Sequence, residues 1–148
     1  MSDLALQLSE HWHELGSALR SRRLLASLHE GRAADLTPTK LRALDVLARS
    51  GGLRVGELAE RMGVDETSAT RLVDRLAAVG LAERRRAPDD RRVTIVVLTL
   101  KGKRLAATAA DQRRRFFEDV LSALEPDERA QLVRLTAKAA EALQAIAG

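Results

Sequence analysis

VGELAERMGVDETSATRLVDRLAAVG, residues 55–80, holds two short apolar stripes separated by a glycine. Val55, Leu58, Ala59 and Met62 recur at helical spacing, which predicts a short helix over 55–62. Gly63 can take the left-handed backbone that stops it. Asp65 then stands where an N-cap belongs, opening a helix that runs to about Val79 and ends at Gly80. Ala69, Leu72, Val73 and Leu76 form its inward stripe. Two short helices joined by Gly63-Val64 make a helix-turn-helix, whose second helix is built to enter the major groove of DNA. The outward face of that second helix carries Ser68, Arg71 and Arg75, flanked by Thr67 and Thr70. Short hydroxyl donors and Arg forks reach base edges and phosphates. Asp65 and Glu66 suit the helix dipole but repel phosphate, so they belong beside the groove or against base donors.

Downstream the texture changes. Residues 81–86 and 91–98 read as two strands, the second carrying the β-branched run Val93-Thr94-Ile95-Val96-Val97. Ala87-Pro88-Asp89-Asp90 supplies the turn. Both arms are basic, with Arg84 and Arg86 on the first and Arg91 and Arg92 at the start of the second. A basic hairpin after a helix-turn-helix is a wing. Its tip is placed to send an Arg into the adjacent minor groove, where narrow A·T-rich stretches concentrate negative potential. A glycine-turned helix pair, or a basic edge strand, is common on its own; the two in this order are specific. Charge placement supports the reading. The chain carries +4 overall, yet Arg71–Arg104 alone holds ten basic residues against four acidic ones, more than the whole surplus. Only four of the 25 basic residues are Lys, so the positive groups are mostly planar guanidinium forks suited to phosphate and guanine.

Upstream, Leu4, Leu8, Trp12, Leu15 and Leu19 predict one long helix over 3–29, with an exit at 29–32. Thr37-Pro38 opens the next, as N-cap and first helical residue. Leu41, Leu44 and Leu47 follow before Ser50-Gly51-Gly52 ends it. Beyond the hairpin, Thr99 caps a helix carrying Leu105, Ala109, Phe116, Val120 and Leu124. Glu125-Pro126-Asp127-Glu128 starts a last helix striped with Leu132, Leu135, Ala139, Leu143 and Ile146. The outer helices carry long apolar stripes that a compact winged helix does not need for its own core. Mutual burial across a two-fold axis is the simple solution, giving a homodimer that reads a pseudo-palindromic site on double-stranded DNA. The expected architecture is mainly α with a small β-hairpin wing. It is one domain, 1–148, with a winged helix-turn-helix at 37–100 flanked by dimerisation helices at 1–36 and 101–148.

Composition closes off other classes. At 148 residues and 45% apolar content, one domain with a real core is expected. The absence of Cys removes disulfides, thiol catalysis and Cys-based zinc modules. No apolar run is long enough to span a membrane, and MSDLALQLSE is no signal peptide; a cytoplasmic protein is expected. Three aromatic residues, Trp12, Phe116 and Phe117, are too few for a base-stacking module. No nucleophile motif, phosphate-cradling glycine loop or paired-carboxylate spacing is present, so neither an enzyme nor a cofactor is expected. His11 and His13 point about 200° apart on a helix and cannot share a metal. Arg113-Arg114-Arg115 reads as a solvated face.

Leu58-Ala59-Glu60-Arg61-Met62-Gly63, Thr70-Arg71-Leu72-Val73-Asp74-Arg75-Leu76, Gly80-Leu81, and Asp90-Arg91-Arg92 through Leu98-Thr99 to Gly102 resemble the MarR family of winged-helix regulators. The resemblance covers essentially the whole chain. It implies a homodimeric transcription factor, most often a repressor relieved by a small ligand or by oxidation; without Cys, this chain departs from the thiol-sensing branch. By position it implies that Arg92 enters the minor groove and that Asp90 orients it. It also implies a small-molecule effector between the first helix and the winged helix, with Trp12 and Asp45 as candidate ligand-binding residues. The alternative is a winged-helix module for protein interaction, or a nucleoid-type binder without sequence preference.

Overall fold

The structure is a computed structural model and describes residues 2–19 and 36–147. Among these residues six helices and one hairpin follow in order: α1 (Ser2–Leu19), α2 (Pro38–Ser50), α3 (Val55–Met62), α4 (Glu66–Ala78), β1 (Ala82–Arg86), β2 (Thr94–Leu98), α5 (Leu100–Ser122) and α6 (Pro126–Ala147). The end of the first helix, expected near 29, and its exit at 29–32 lie outside the described residues.

Local chemistry sets the boundaries. Thr37 caps α2, its hydroxyl accepting the Lys40 N–H, with Pro38 at the first helical position and Gly51 left-handed at the end. At the start of α3 the Glu57 carboxylate accepts the Arg54 N–H at 2.8 Å. Gly63, at φ 64°, turns the chain out of α3 and donates back to the carbonyls of Ala59 and Glu60. Asp65 caps α4.

The core lies within residues 43–106. Leu44, Leu47, Leu58, Val73, Leu76 and Val96 are its largest fully buried side chains, joined by Leu53, Met62, Leu81 and Leu98. From α5 only Gly102 and Ala106 are buried. The winged helix therefore closes a core with the first turns of α5. The inward stripe expected for α4 is buried at all four positions.

β1 and β2 pair antiparallel, from Ala82 opposite Leu98 to Arg86 opposite Thr94. The second strand is shorter than expected. Residues 91–93 belong to the turn, because Val93 donates its N–H to the Asp90 carbonyl at 3.0 Å and accepts that of Ala87 at 2.8 Å. A contact not anticipated joins Leu53 to Val96 as an antiparallel bridge with bonds of 3.1 and 2.7 Å. It gives the hairpin a third, one-residue strand. Gly52 beside it has little room for a side chain: a Cβ there would meet Ile95 and Val97 at 3.0 Å.

By internal packing the chain divides at Gln112. The first unit holds α1, the winged helix and the start of α5. The second holds the rest of α5 and α6, joined by a tight turn in which Glu128 accepts the Glu125 N–H at 2.9 Å. The apolar stripes of the outer helices are solvent-exposed in the single chain: Leu4, Leu8, Trp12 and Leu15 on α1, and Leu132, Leu135, Leu143 and Ile146 on α6.

Candidate nucleic-acid interface

The second helix of the helix-turn-helix pins its inward stripe to the core and leaves Thr67, Ser68, Arg71 and Arg75 exposed, with Thr70 half-buried. Ser68 is occupied. Its N–H donates to Asp65 Oδ1 at 2.8 Å and its hydroxyl donates to Oδ2 at 2.7 Å. These bonds, the hydroxyl's first, hold the Asp65 carboxyl below its ordinary pKa. Asp65 thus spends both oxygens on the helix cap, while the Ser68 oxygen keeps only its acceptor capacity toward outside groups. Arg71 and Arg75 make no hydrogen bond or ion pair among the described residues, so both guanidinium groups are available.

The wing sorts its arginines by strand face. Arg84 and Arg86 continue the face that carries Ala82, whose cross-strand partner Leu98 is buried. Arg84 reaches back to Asp74 on α4, Nη1 to Oδ1 at 2.8 Å. Arg86 donates to the Thr94 hydroxyl at 3.3 Å. On the other face Arg85 pairs with Glu83. At the tip, Arg91 and Arg92 are exposed. The Asp90 Oδ1 accepts the Arg92 main-chain N–H at 2.9 Å, a bond that closes the turn. The Arg92 guanidinium has no partner among the described residues.

Between the N-terminal end of α3, α4 and the wing lies a groove of about 770 Å³, lined among others by Arg54, Glu60, Glu66, Thr70, Arg84 and Thr94. Its carboxylates, Glu57 included, repel a phosphate lodged inside it. Phosphate contacts are better served by the outer cations, Arg71, Arg75, Arg91 and Arg92. Sequence reasoning missed Asp74 as the partner of Arg84, and missed Arg54 and Glu60 as groove residues. The partners are set by strand register and helix packing, and no local pattern signals them.

Trp12 is 54% exposed on α1. Asp45 pairs with Arg49 at 3.2 Å. The groove is lined by neither. No three acidic or histidine residues gather to hold a metal among the described residues.

A family model described as the MarR family matches residues 34–93. The repressor MdtR of Bacillus subtilis is 31% identical over 144 residues, covering 97% of this chain and 88% of MdtR. Two uncharacterised HTH-type regulators of the same organism, 26% and 38% identical, are matched over 63% and 60% of their own length, so the chain spans under two thirds of them. Among solved structures, a MarR family protein from Bacillus stearothermophilus is 26% identical, with a TM-score of 0.83 and coverage of 97% of this chain and 98% of the other. The PcaV regulator of Streptomyces coelicolor, solved with its natural ligand, is 26% identical, with a TM-score of 0.68 and coverage of 95% and 96%.

Proposed function

The chain belongs to the MarR family, and on that premise we propose that it is a transcriptional repressor that binds double-stranded DNA as a homodimer. The observation that carries this reading is the set of free guanidinium groups, Arg71 and Arg75 on α4 and Arg91 and Arg92 at the wing tip, in one compact unit. α4 enters the major groove, where Arg71 and Thr67 meet base edges and Arg75 meets the backbone. The wing sends Arg92 into the flanking minor groove. Arg84 and Arg86 serve the interface by shaping the wing, and Asp90 by fixing its tip. Ser68 and Thr70 meet the duplex as short polar groups. The exposed apolar faces of α1 and α6 bury against a second copy, so the site read is a pseudo-palindrome. MdtR is named a repressor and PcaV binds a natural ligand. The first supports repression and the second supports relief by a small-molecule effector; we place that effector near Trp12 and Asp45, and the protein in the cytoplasm.

The test is titration of Arg71→Ala and Arg92→Ala against cognate and mismatched duplexes. Arg71→Ala is expected to lose about 1–3 kcal/mol of discrimination at one base pair of each half-site. Arg92→Ala is expected to weaken sites with A·T-rich flanks most. Equal loss on every sequence for Arg71→Ala would make that residue a phosphate contact instead.

A further inference from the structure

The segment from Leu98-Thr99 to Gly102 is one part of the sequence resemblance, yet it adds nothing to the face formed by the free arginines. Its place is behind α4. Three successive carbonyls leave the C-terminal end of that helix, those of Val79, Gly80 and Leu81. Each meets a donor from the start of α5. Lys101 Nζ donates to the Val79 carbonyl at 2.8 Å. The Thr99 hydroxyl donates to Gly80 at 2.6 Å while accepting the Gly102 N–H at 3.0 Å. The Thr99 N–H reaches Leu81 at 3.1 Å. Gly102 is required by the same approach, because a Cβ there would lie 2.0 Å from the Leu81 oxygen. The Val79 carbonyl is that of the α4 C-cap, where carbonyls have no intrahelical partner and a cation favours the dipole.

We propose that Lys101 and Thr99 are positioning residues for DNA reading, clamping the C-terminal end of α4 to α5 and so fixing the angle at which Arg71 and Arg75 are presented. This rests on α4 being the DNA-reading helix. Lever length gives the clamp its leverage. α4 is 13 residues, or ~20 Å, long. A tilt of about 10° about its held end moves the far end by roughly 3 Å and Arg71 by about half of that. Both shifts exceed the slack of a hydrogen bond. Lys101 is exposed, and the core beneath closes on Val73, Leu76, Leu98 and Ala106 without it. Its loss therefore slackens the hold on that end of the helix, while the Thr99 bonds and the buried stripe leave the fold in place.

The experiment compares the wild-type chain, Lys101→Met and Lys101→Arg on a duplex selected by the wild type and on a scrambled duplex, across salt concentrations, with Tm measured for each. Lys101→Met is expected to bind the selected duplex about three- to tenfold more weakly. Its affinity for the scrambled duplex should change less, with Tm and the salt slope unchanged. Lys101→Arg, which keeps a long cationic donor, should restore binding. Unchanged affinity of Lys101→Met for the selected duplex overturns the clamp while leaving α4 as reader. A salt slope lower by about one shows a phosphate contact in its place and also overturns it. Equal binding of both duplexes by the wild type overturns the DNA reading itself, and the clamp with it.

Discussion

Arginines in this chain differ by what holds them. Arg49, Arg84 and Arg85 are each ion-paired, with Asp45, Asp74 and Glu83, whereas Arg71, Arg75, Arg91 and Arg92 stand free among the described residues. Exposed ion pairs add little stability, so the Arg84–Asp74 pair links α4 to the wing without adding much to the fold. Carboxylates divide in the same manner. Asp65 was open in sequence to a role against base donors; its oxygens instead cap α4. Because folding lowers its pKa, the stability it contributes is full above the ordinary carboxylate range and is lost as pH falls through the lowered value. Asp65→Ala is therefore expected to lower Tm at neutral pH, and the gap from wild type to narrow as the solution turns acid. A gap that stays constant to low pH would show that the carboxylate charge plays no part in the cap.

At the scale of elements, the helices were largely legible because their signals are local. The capping signals at Thr37-Pro38, Gly63, Asp65 and Thr99 each act within a turn of where they stand: α2 and α4 begin, α3 ends and α5 follows where those residues place them. The hairpin was legible in kind but not in length, since closure of the tip by Ala87 and Val93 takes residues 91–93 out of the strand. The Leu53–Val96 bridge and the Asp74 partner of Arg84 were not legible. Both join residues on different elements, and neither leaves a periodic trace. The wing tip gives an element-scale test. With Asp90 holding the Arg92 N–H, Asp90→Ala is expected to weaken binding to A·T-flanked sites while leaving Tm within about 1 °C, since the tip lies outside the core. A large fall in Tm would instead mean that the turn supports the hairpin as a whole.

For the whole molecule, the apolar residues left outside the core set the expectation. Leu4, Leu8, Trp12 and Leu15 on α1, and Leu132, Leu135, Leu143 and Ile146 on α6, are exposed in the single chain. Large exposed apolar patches mark interaction surfaces. In the proposed homodimer a second copy covers them and two reading helices lie side by side on the duplex, about one helical turn apart. Two-fold symmetry in the protein then imposes two-fold symmetry on the DNA. The most direct test is selection of binding sites by the purified protein from a random duplex library at two salt concentrations. Enrichment of a pseudo-palindrome with half-sites about one helical turn apart, tighter at the lower salt, is the expected result. Salt-sensitive binding with no enriched sequence, or no binding at either concentration, would contradict a dimeric reader of sequence.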